Sequence, residues 1–524
     1  MKRILLLLLC AAMLLSVFSG CAAEDTPYVP TGDALAPEDA DVNATHPEEE
    51  GAPQEFSLAY FDNRSMNPIT ATDFTNRALF SLIYQGLFFI NSKNEPVPIL
   101  CKNYKHSTDY RTFTFFLMDN ATFSDGTPVT VEDALATYTA ALKSSYYSGR
   151  FVHVKEVLIS DEGGLSFKLS NPLADFPLLL DVPIIKASQI EAEHPLGTGP
   201  YLFEDSLTGA QLRRNRAWWC SGSAQGMVVT ADSIPLIAAE STTQIRDEFE
   251  FGNVGVVCTD PFSDSYADYR CDRELWTCEN GLLLYIGCNV AYSEVFSDDA
   301  LRAALTYAID RKVLAEDHYK GFAQTTTLLC SPSSPYYSPS LAVKYEYDPI
   351  RFIEALGRIK MPEEPVRLLV NKDDSLRLRA ARDIAAMLTE CGLETVTVEQ
   401  ETAVYLRDIR IGKYDLYLGQ TRLSTNMDLT PFFHPYGNIS RNGVADSVIY
   451  DLCLDALENS GNFYNLHKAA ADDGSIVPIL FGSYAVYATR GLVTNLSPSR
   501  DCVFFYTLGR TDADALIPLD YGIG

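Results

Sequence analysis

Leu282–Arg311, LLLYIGCNVAYSEVFSDDALRAALTYAIDR, lies near the middle of a 524-residue chain and carries a strand, a loop and a helix in succession. Leu282 to Ile286 is an apolar run of strand length. Ser297, Asp298 and Asp299 mark a helix start, because their oxygens accept the free N–H groups of a first turn and negative charge meets the positive end of the helix dipole. Beyond them Leu301, Ala304, Leu305, Ala308 and Ile309 recur at helical spacing, which predicts one helix running through Ile309. The intervening loop holds Asn289, Tyr292 and Phe296, an amide and aromatic faces close to a helix N-terminus, a common setting for a ligand.

Working outward toward the C-terminus, Leu376 to Glu390 is amphipathic and Gly392 stops it. A strand at Thr395 to Glu399, a helix near Val404 to Ile411 and a strand at Tyr414 to Leu418 follow. That alternation predicts an open α/β sheet with helices packed against it. Helices at about Asp446 to Glu458 and Phe463 to Ala471 then lead into the apolar run Ile476 to Leu480. Toward the N-terminus, Phe56 to Tyr60 alternates as a strand, Asn76 to Gly86 reads as a helix and Arg111 to Phe115 as another strand. Phe123 to Thr130 is a strand end, an Asp-Gly turn and a cap, where Thr130 and Asp133 form a capping box for a helix from Val131 to Lys143.

These segments together resemble family 5 of the extracytoplasmic solute-binding proteins, the peptide/nickel class that serves ABC importers. The resemblance rests on Asn289, Phe296 with Asp298, and Arg302, Ala304, Ala308, Ile309, Asp310 and Arg311 in the central stretch. It rests also on Tyr84-Gln85-Gly86-Leu87, Phe123-Ser124-Asp125-Gly126-Thr127-Pro128-Val129-Thr130, Gly197-Thr198-Gly199-Pro200-Tyr201 and Arg214-Asn215-Arg216-Ala217-Trp218. It covers roughly Phe56 to Leu508. One departure is Gly255, which stands where the family's Gly-x-x-Asp strand carries the acid. For Arg302, Asp310 and Arg311 the expected role is structural, tying the helix to its neighbours.

The totals exclude several functions. Lys and Arg number 41 against 69 Asp and Glu, a net charge of -28, and an acidic surface cannot replace the counterions of a nucleic acid. Twelve cysteines are scattered without Cys-x-x-Cys spacing, so most read as buried apolar thiols, with Cys271 and Cys278 near enough in sequence to pair. The seven histidines fall in no HExxH or His-x3-His arrangement, and no metal is expected. Gly197-Thr198-Gly199-Pro200 lacks the Lys-Ser/Thr of a phosphate loop, and Pro200 removes a donor. No Gly-x-Ser-x-Gly elbow marks a hydrolase, although an extracellular hydrolase is the rival class, and a sensing or chaperone role on the same fold is a third.

Met1 to Gly20 is a leader, basic at Lys2 and Arg3, apolar from Ile4 to Phe18, and too short for a permanent span. Phe18-Ser19-Gly20-Cys21 resembles a lipobox, in which Cys21 becomes the lipid-bearing N-terminus. Loss of Lys2 and Arg3 leaves 39 cations against 69 acids, net -30. Residues 21–55, rich in Pro, Ala and acids, cannot bury enough apolar surface to order themselves and read as a tether.

The resemblance implies a two-lobed periplasmic-binding-protein-like α/β fold with an extra subdomain in lobe one and a ligand cleft between lobes. The expected boundaries are 56–287 for lobe one, with the subdomain at about 70–160, then 288–482 for lobe two and 483–524 for the return to lobe one. It implies a monomeric, lipid-anchored carrier on the outer face of the cytoplasmic membrane, partnered by an ABC permease, with no cofactor and no catalysis. The solute is a peptide by default, with nickel chelates and oligosaccharides as alternatives. Tyr60, Tyr84, Phe262, Asn289 and Tyr436 are candidate cleft residues, since aromatic walls and a few amides suit many solutes. Peptide binders of the family carry a Trp-x-x-Asp stretch whose acid meets the peptide amine. Here Gly419 to Asp428 has no Trp and places Ser424 near the expected acid, which leaves Asp428 at a shifted position and Arg422 as a clamp for an acidic group.

Overall fold

The structure, a computed structural model, describes residues 57–206, 209–222, 224–225, 231–263, 266, 268–434, 446–493, 496–504, 507–508 and 519–520. All lie within the unit Gly51–Gly524. Cys21 and Tyr436 fall outside the described residues.

Two long antiparallel strands organise the molecule, Arg273–Cys288 and Ile476–Thr489. They sit at the centre of a mixed sheet. On one flank lie Leu416–Arg422, Val366–Asn371 and Thr395–Gln400; on the other lie Val256–Thr259, Leu58–Phe61, Ser233–Ala239, Gly209–Arg214 and Tyr201–Ser206. Each long strand runs through several cores. Cys278 and Tyr484 pack with Leu58, Phe74 and Leu236, whereas Leu283, Leu284, Phe481 and Leu480 pack with the cores around Leu368, Ile384, Phe432 and Leu466. The first strand therefore changes core between Cys278 and Leu283.

The reason lies in the register. Glu279 faces Ser483 and Leu283 faces Phe481, so Asn280, Gly281 and Leu282 stand opposite Gly482 alone as a bulge. Gly281 takes φ +75°, and a β-carbon on Gly482 would come within 2.9 Å of the Asn280 amide nitrogen. The polar Glu279-Asn280-Gly281 break hides the strand's first half from a reading of hydrophobic pattern, which begins only at Leu282.

The helix after this strand is also shorter than its spacing predicts. It spans Asp299–Leu305, continues as one 3-10 turn at Thr306–Ala308, and gives way to extended Ile309. Asp310 caps a new helix, Arg311–Tyr319, by accepting from Lys312 N and Val313 N. Arg311 fixes this break. Its buried guanidinium donates to the carbonyls of Pro478 (2.9 Å), Thr306 (3.0 Å) and Ile309 (3.3 Å), and to Thr306 Oγ1. Arg302, equally buried, donates to Phe296 O and Ser297 O and pairs with Asp299. The cap of the first helix is Asp298 rather than Ser297.

A second sheet of Cys101–His106, Thr112–Leu117, Leu165–Leu169 and Val154–Ile159, joined at Cys101–His106 by Leu519–Asp520, packs into the first core through Phe113, Phe115 and Phe167. The helix Val131–Ala141 packs on it, with both arms of the Thr130–Asp133 capping box formed. Gly197 and Gly199 lie against the C-terminal carbonyls of the Phe74–Ile83 helix, where a β-carbon on Gly199 would be 2.5 Å from Leu82 O. Close approach, not phosphate binding, accounts for these glycines.

Candidate functional site

The bulge is a meeting point of charges. Arg422, at the end of its strand, donates to the Asn280 carbonyl and to the Tyr484 hydroxyl (3.0 Å). Arg500, from the returning C-terminal segment, donates to Leu423 O (2.7 Å) and pairs with Glu279 (2.8 Å). The other oxygen of Glu279 accepts from Ser331 Oγ and from Ser333 Oγ (2.9 Å).

Beside the bulge lies a buried ionic cluster of the first core. The Tyr146 ring has Arg77 on it at 3.6 Å and Arg422 at 5.3 Å, so one aromatic face system serves a guanidinium from each side of the bulge. Tyr146 donates to Asp501 (2.6 Å), which also pairs with Arg77 (3.1 Å) and Arg150 (3.3 Å), while Arg150 pairs with Asp181. Burial works to raise both carboxyls. Arg77 and Arg150 outweigh it at Asp501, which is held well below the usual carboxylate range, whereas Asp181 stays above its ordinary value. Phe74 stacks on Tyr484 at 3.8 Å and completes the aromatic floor. A cavity of about 50 Å³ opens beneath, lined by Arg77, Tyr84, Gln85, Asp181, Asp501 and Cys502.

Arg77, Arg150, Arg422 and Arg500 thus face Asp181, Asp501 and Glu279. Arg422, which is half-buried, is the guanidinium of this set with no carboxylate in ion-pair range among the described residues, and Asp501 acts on it only from further away. A half-buried cation with no carboxylate in ion-pair range has room for a counter-charge, and an anionic group brought in by a ligand would supply it.

Further from the bulge, Asp428 accepts from His153 Nε2 (3.0 Å) and from Thr430 N (2.8 Å). Burial pushes its carboxyl up, but His153 and Thr430 outweigh burial and hold it below the usual value. Asn426, in the same loop, keeps a buried Nδ2 without a partner among the described residues, and Met427 beside it takes φ +52°.

The residues expected from sequence are only partly brought together. Arg422 and Asp428 bracket one loop, and Tyr84 lines the cavity beneath the ionic cluster. Tyr60 stands apart, edge-on to Phe203 at 6.4 Å. Phe262 packs among Tyr319 and Phe322, bridging two apolar cores. Asn289 is fully buried. Its amide donates to Gly412 O (3.0 Å) and Tyr414 O (2.8 Å) and its oxygen accepts from Tyr292 N, so the protein itself consumes the group proposed for a solute. Cys271 and Cys278 are unpaired thiols. Among the described residues no group of three or more His, Cys, Asp or Glu is placed to hold a metal. Sequence reasoning missed Arg77, Tyr146, Arg150, His153, Arg500 and Asp501. Arg77 carried a usable signal, since it falls between Phe74 and Phe80 on the helix face that is buried.

The model for "Bacterial extracellular solute-binding proteins, family 5 Middle" matches residues 95–443, more than half of the chain. The chain belongs to this family. The nickel-binding periplasmic protein of Escherichia coli K12 is 24% identical over 410 residues, which span 71% of this chain and 76% of that protein. Among solved structures, the ABC transporter substrate-binding protein CtaP of Listeria monocytogenes superposes with TM-score 0.67 at 18% identity, covering 87% of this chain and 99% of its own. The unliganded open form of MppA, a periplasmic murein tripeptide binding protein, gives TM-score 0.71 at 17% identity, covering 88% and 98%. The fold is accordingly the two-lobed fold of these binding proteins. As a family 5 member the protein is an extracellular solute-binding protein.

Proposed function

We propose that this protein carries a short peptide or related small solute bearing an acidic group, which it binds between the lobes without chemical change. The observation that carries this reading is the half-buried guanidinium of Arg422, bonded to Asn280 O and Tyr484 and stacked on Tyr146 with no carboxylate in ion-pair range among the described residues. A planar fork in that setting suits a carboxylate or similar anion. Asp428 already accepts from His153 and Thr430, which argues against an amine as the main anchor. In this reading lobe one is residues 56–281 and 482–524, lobe two is 282–481, and closure about the bulge presents the loaded form to a membrane permease. The carrier is a monomer held to the outer face of the membrane by lipid on Cys21. Because one acyl chain inserts reversibly, more than one is needed.

The test is mass spectrometry of solute released from the purified protein, followed by melting of wild type and Arg422→Ala with that solute and its carboxyl-blocked analogue. A solute at 100 times its Kd stabilises by about 2.7 kcal/mol, so a shift is readable. Blocking the acid or removing the guanidinium should abolish the shift. A neutral or purely cationic solute, or an unchanged shift in Arg422→Ala, overturns the reading. The anchor is tested separately, by fractionation: Cys21→Ser should leave the membrane, and full retention would refute it.

A further inference from the structure

The two lobes touch at a second place, away from the bulge, through a short segment of lobe one. Asn171 Nδ2 donates to His153 Nδ1 (2.9 Å), and His153 Nε2 in turn reaches Asp428 Oδ2 (3.0 Å) and Thr430 Oγ1 (3.2 Å) in lobe two. Three residues on, the Ala174 backbone N–H donates to the carbonyl of Leu457 (2.9 Å), in the last turn of the lobe-two helix Ser447–Glu458. The next residue, Asp175, accepts from the Tyr336 hydroxyl (2.5 Å), and Tyr336 is itself stacked on Phe463 at 4.2 Å. Leu457 adds an apolar contact by packing into the core of lobe one.

Each of these contacts pairs a donor with an acceptor or an apolar group with an apolar core. His153, Asp428 and the Ala174 amide are satisfied across the junction by protein groups alone. Their partners sit on three separate lobe-two elements, the loop at Asp428, the helix end at Leu457 and the loop at Tyr336, so the segment is held at points that do not share a backbone. Self-complementary contact of this kind does not need a solute to bridge it.

We propose that His153 and the segment Asn171–Asp175 form a latch that shuts the cleft by direct lobe-to-lobe contact, so that the protein populates a closed arrangement on its own and solute shifts an equilibrium that already exists. The proposal rests on the two-lobed carrier reading above but not on the nature of the solute. The latch makes the energy of closure partly a property of the chain. Solute affinity is then reduced or raised by the closed fraction, and residues that touch no solute set it.

Hydrogen exchange on solute-free full-length protein tests this directly, because the Ala174 amide is bonded across the junction. In wild type this amide should be protected. In His153→Ala, and independently in Tyr336→Phe, it should exchange about ten-fold faster or more, the loss expected when a buried hydrogen bond to a charged group is removed. Amides of the central strand around Val486 should keep their wild-type rates, which separates latch opening from unfolding. An Ala174 amide that exchanges freely in wild type, or that keeps its rate in both variants while they remain folded, overturns the latch. Because no solute is present, either result stands whether or not Arg422 binds an anion.

Discussion

The Arg500 guanidinium lies over the bare α-carbon of Gly281, in the space where any other residue would place its β-carbon. Gly281 sits in the bulge at φ +75°, so two constraints coincide at one position. The backbone there favours glycine, and the vacant side holds the arginine that joins Glu279 to Leu423 O.

Gly281→Ala should therefore destabilise the protein by more than its conformational cost. Left-handed backbone costs a residue with a β-carbon roughly 1–2 kcal/mol. Displacing Arg500 adds the loss of its pair with Glu279, in which both side chains are largely buried, so the expected total is about 3 kcal/mol or more. Urea unfolding measures it. Arg500→Ala in the same background should then cost little further, and two additive losses would show that Gly281 and Arg500 are not coupled.

Asp501→Asn keeps shape and removes charge where Arg77, Arg150 and Tyr146 converge. Leaving two buried guanidiniums with only Asp181 beside them should cost about 3–5 kcal/mol. The acid side carries the sign. Asp501 is held below its ordinary value by Arg77 and Arg150 against the opposing effect of burial, so its contribution is complete above the unfolded carboxyl value of about 3.9 and is lost as pH falls through the folded value. The variant should lack that acid-side loss. Equal slopes for variant and wild type below pH 4 would remove Asp501 as its source.

How far the sequence discloses this molecule depends on the range of the interaction. The Thr130–Asp133 capping box and the stop at Gly392, with φ +97°, are local and appear where their residues predict. The break at Ile309 is not local, because it is imposed by Arg311 reaching the carbonyl of Pro478 across the sheet. The long strand is legible only in its apolar half, since Glu279 and Asn280 are buried by partners as distant as Arg500, Ser331 and Gly482. Site residues follow the same rule. Arg422 and Asp428 were visible as charges in an otherwise apolar or neutral stretch, but Arg77, Arg150 and Asp501 acquire meaning only from one another, and His153 only from Asp428. Asn289 looked like a ligand group because nothing local shows that Gly412 O and Tyr414 O, more than a hundred residues on, consume its amide.

His467 offers the clearest pH dependence. It lies on the inner face of the helix Phe463–Asp473, tilted against Phe463 at 5.5 Å, and neither ring nitrogen has a hydrogen-bond partner among the described residues. Burial pushes its pKa down to about 4. An unfolded chain would titrate it near 6.5, so between these values the unfolded state holds a proton that the folded state refuses. Stability is therefore complete above pH 6.5 and falls as the pH drops toward 4, by about 3 kcal/mol in total at about 1.4 kcal/mol per pH unit. His467→Leu removes the proton site and leaves no polar atom to satisfy, so at pH 7 it should be neutral or slightly stabilising. At pH 5 the variant should exceed wild type by about 2 kcal/mol relative to their difference at pH 7, as read from urea midpoints at the two pH values. If both proteins lose the same stability between pH 7 and pH 5, the imidazole is not the group that refuses the proton.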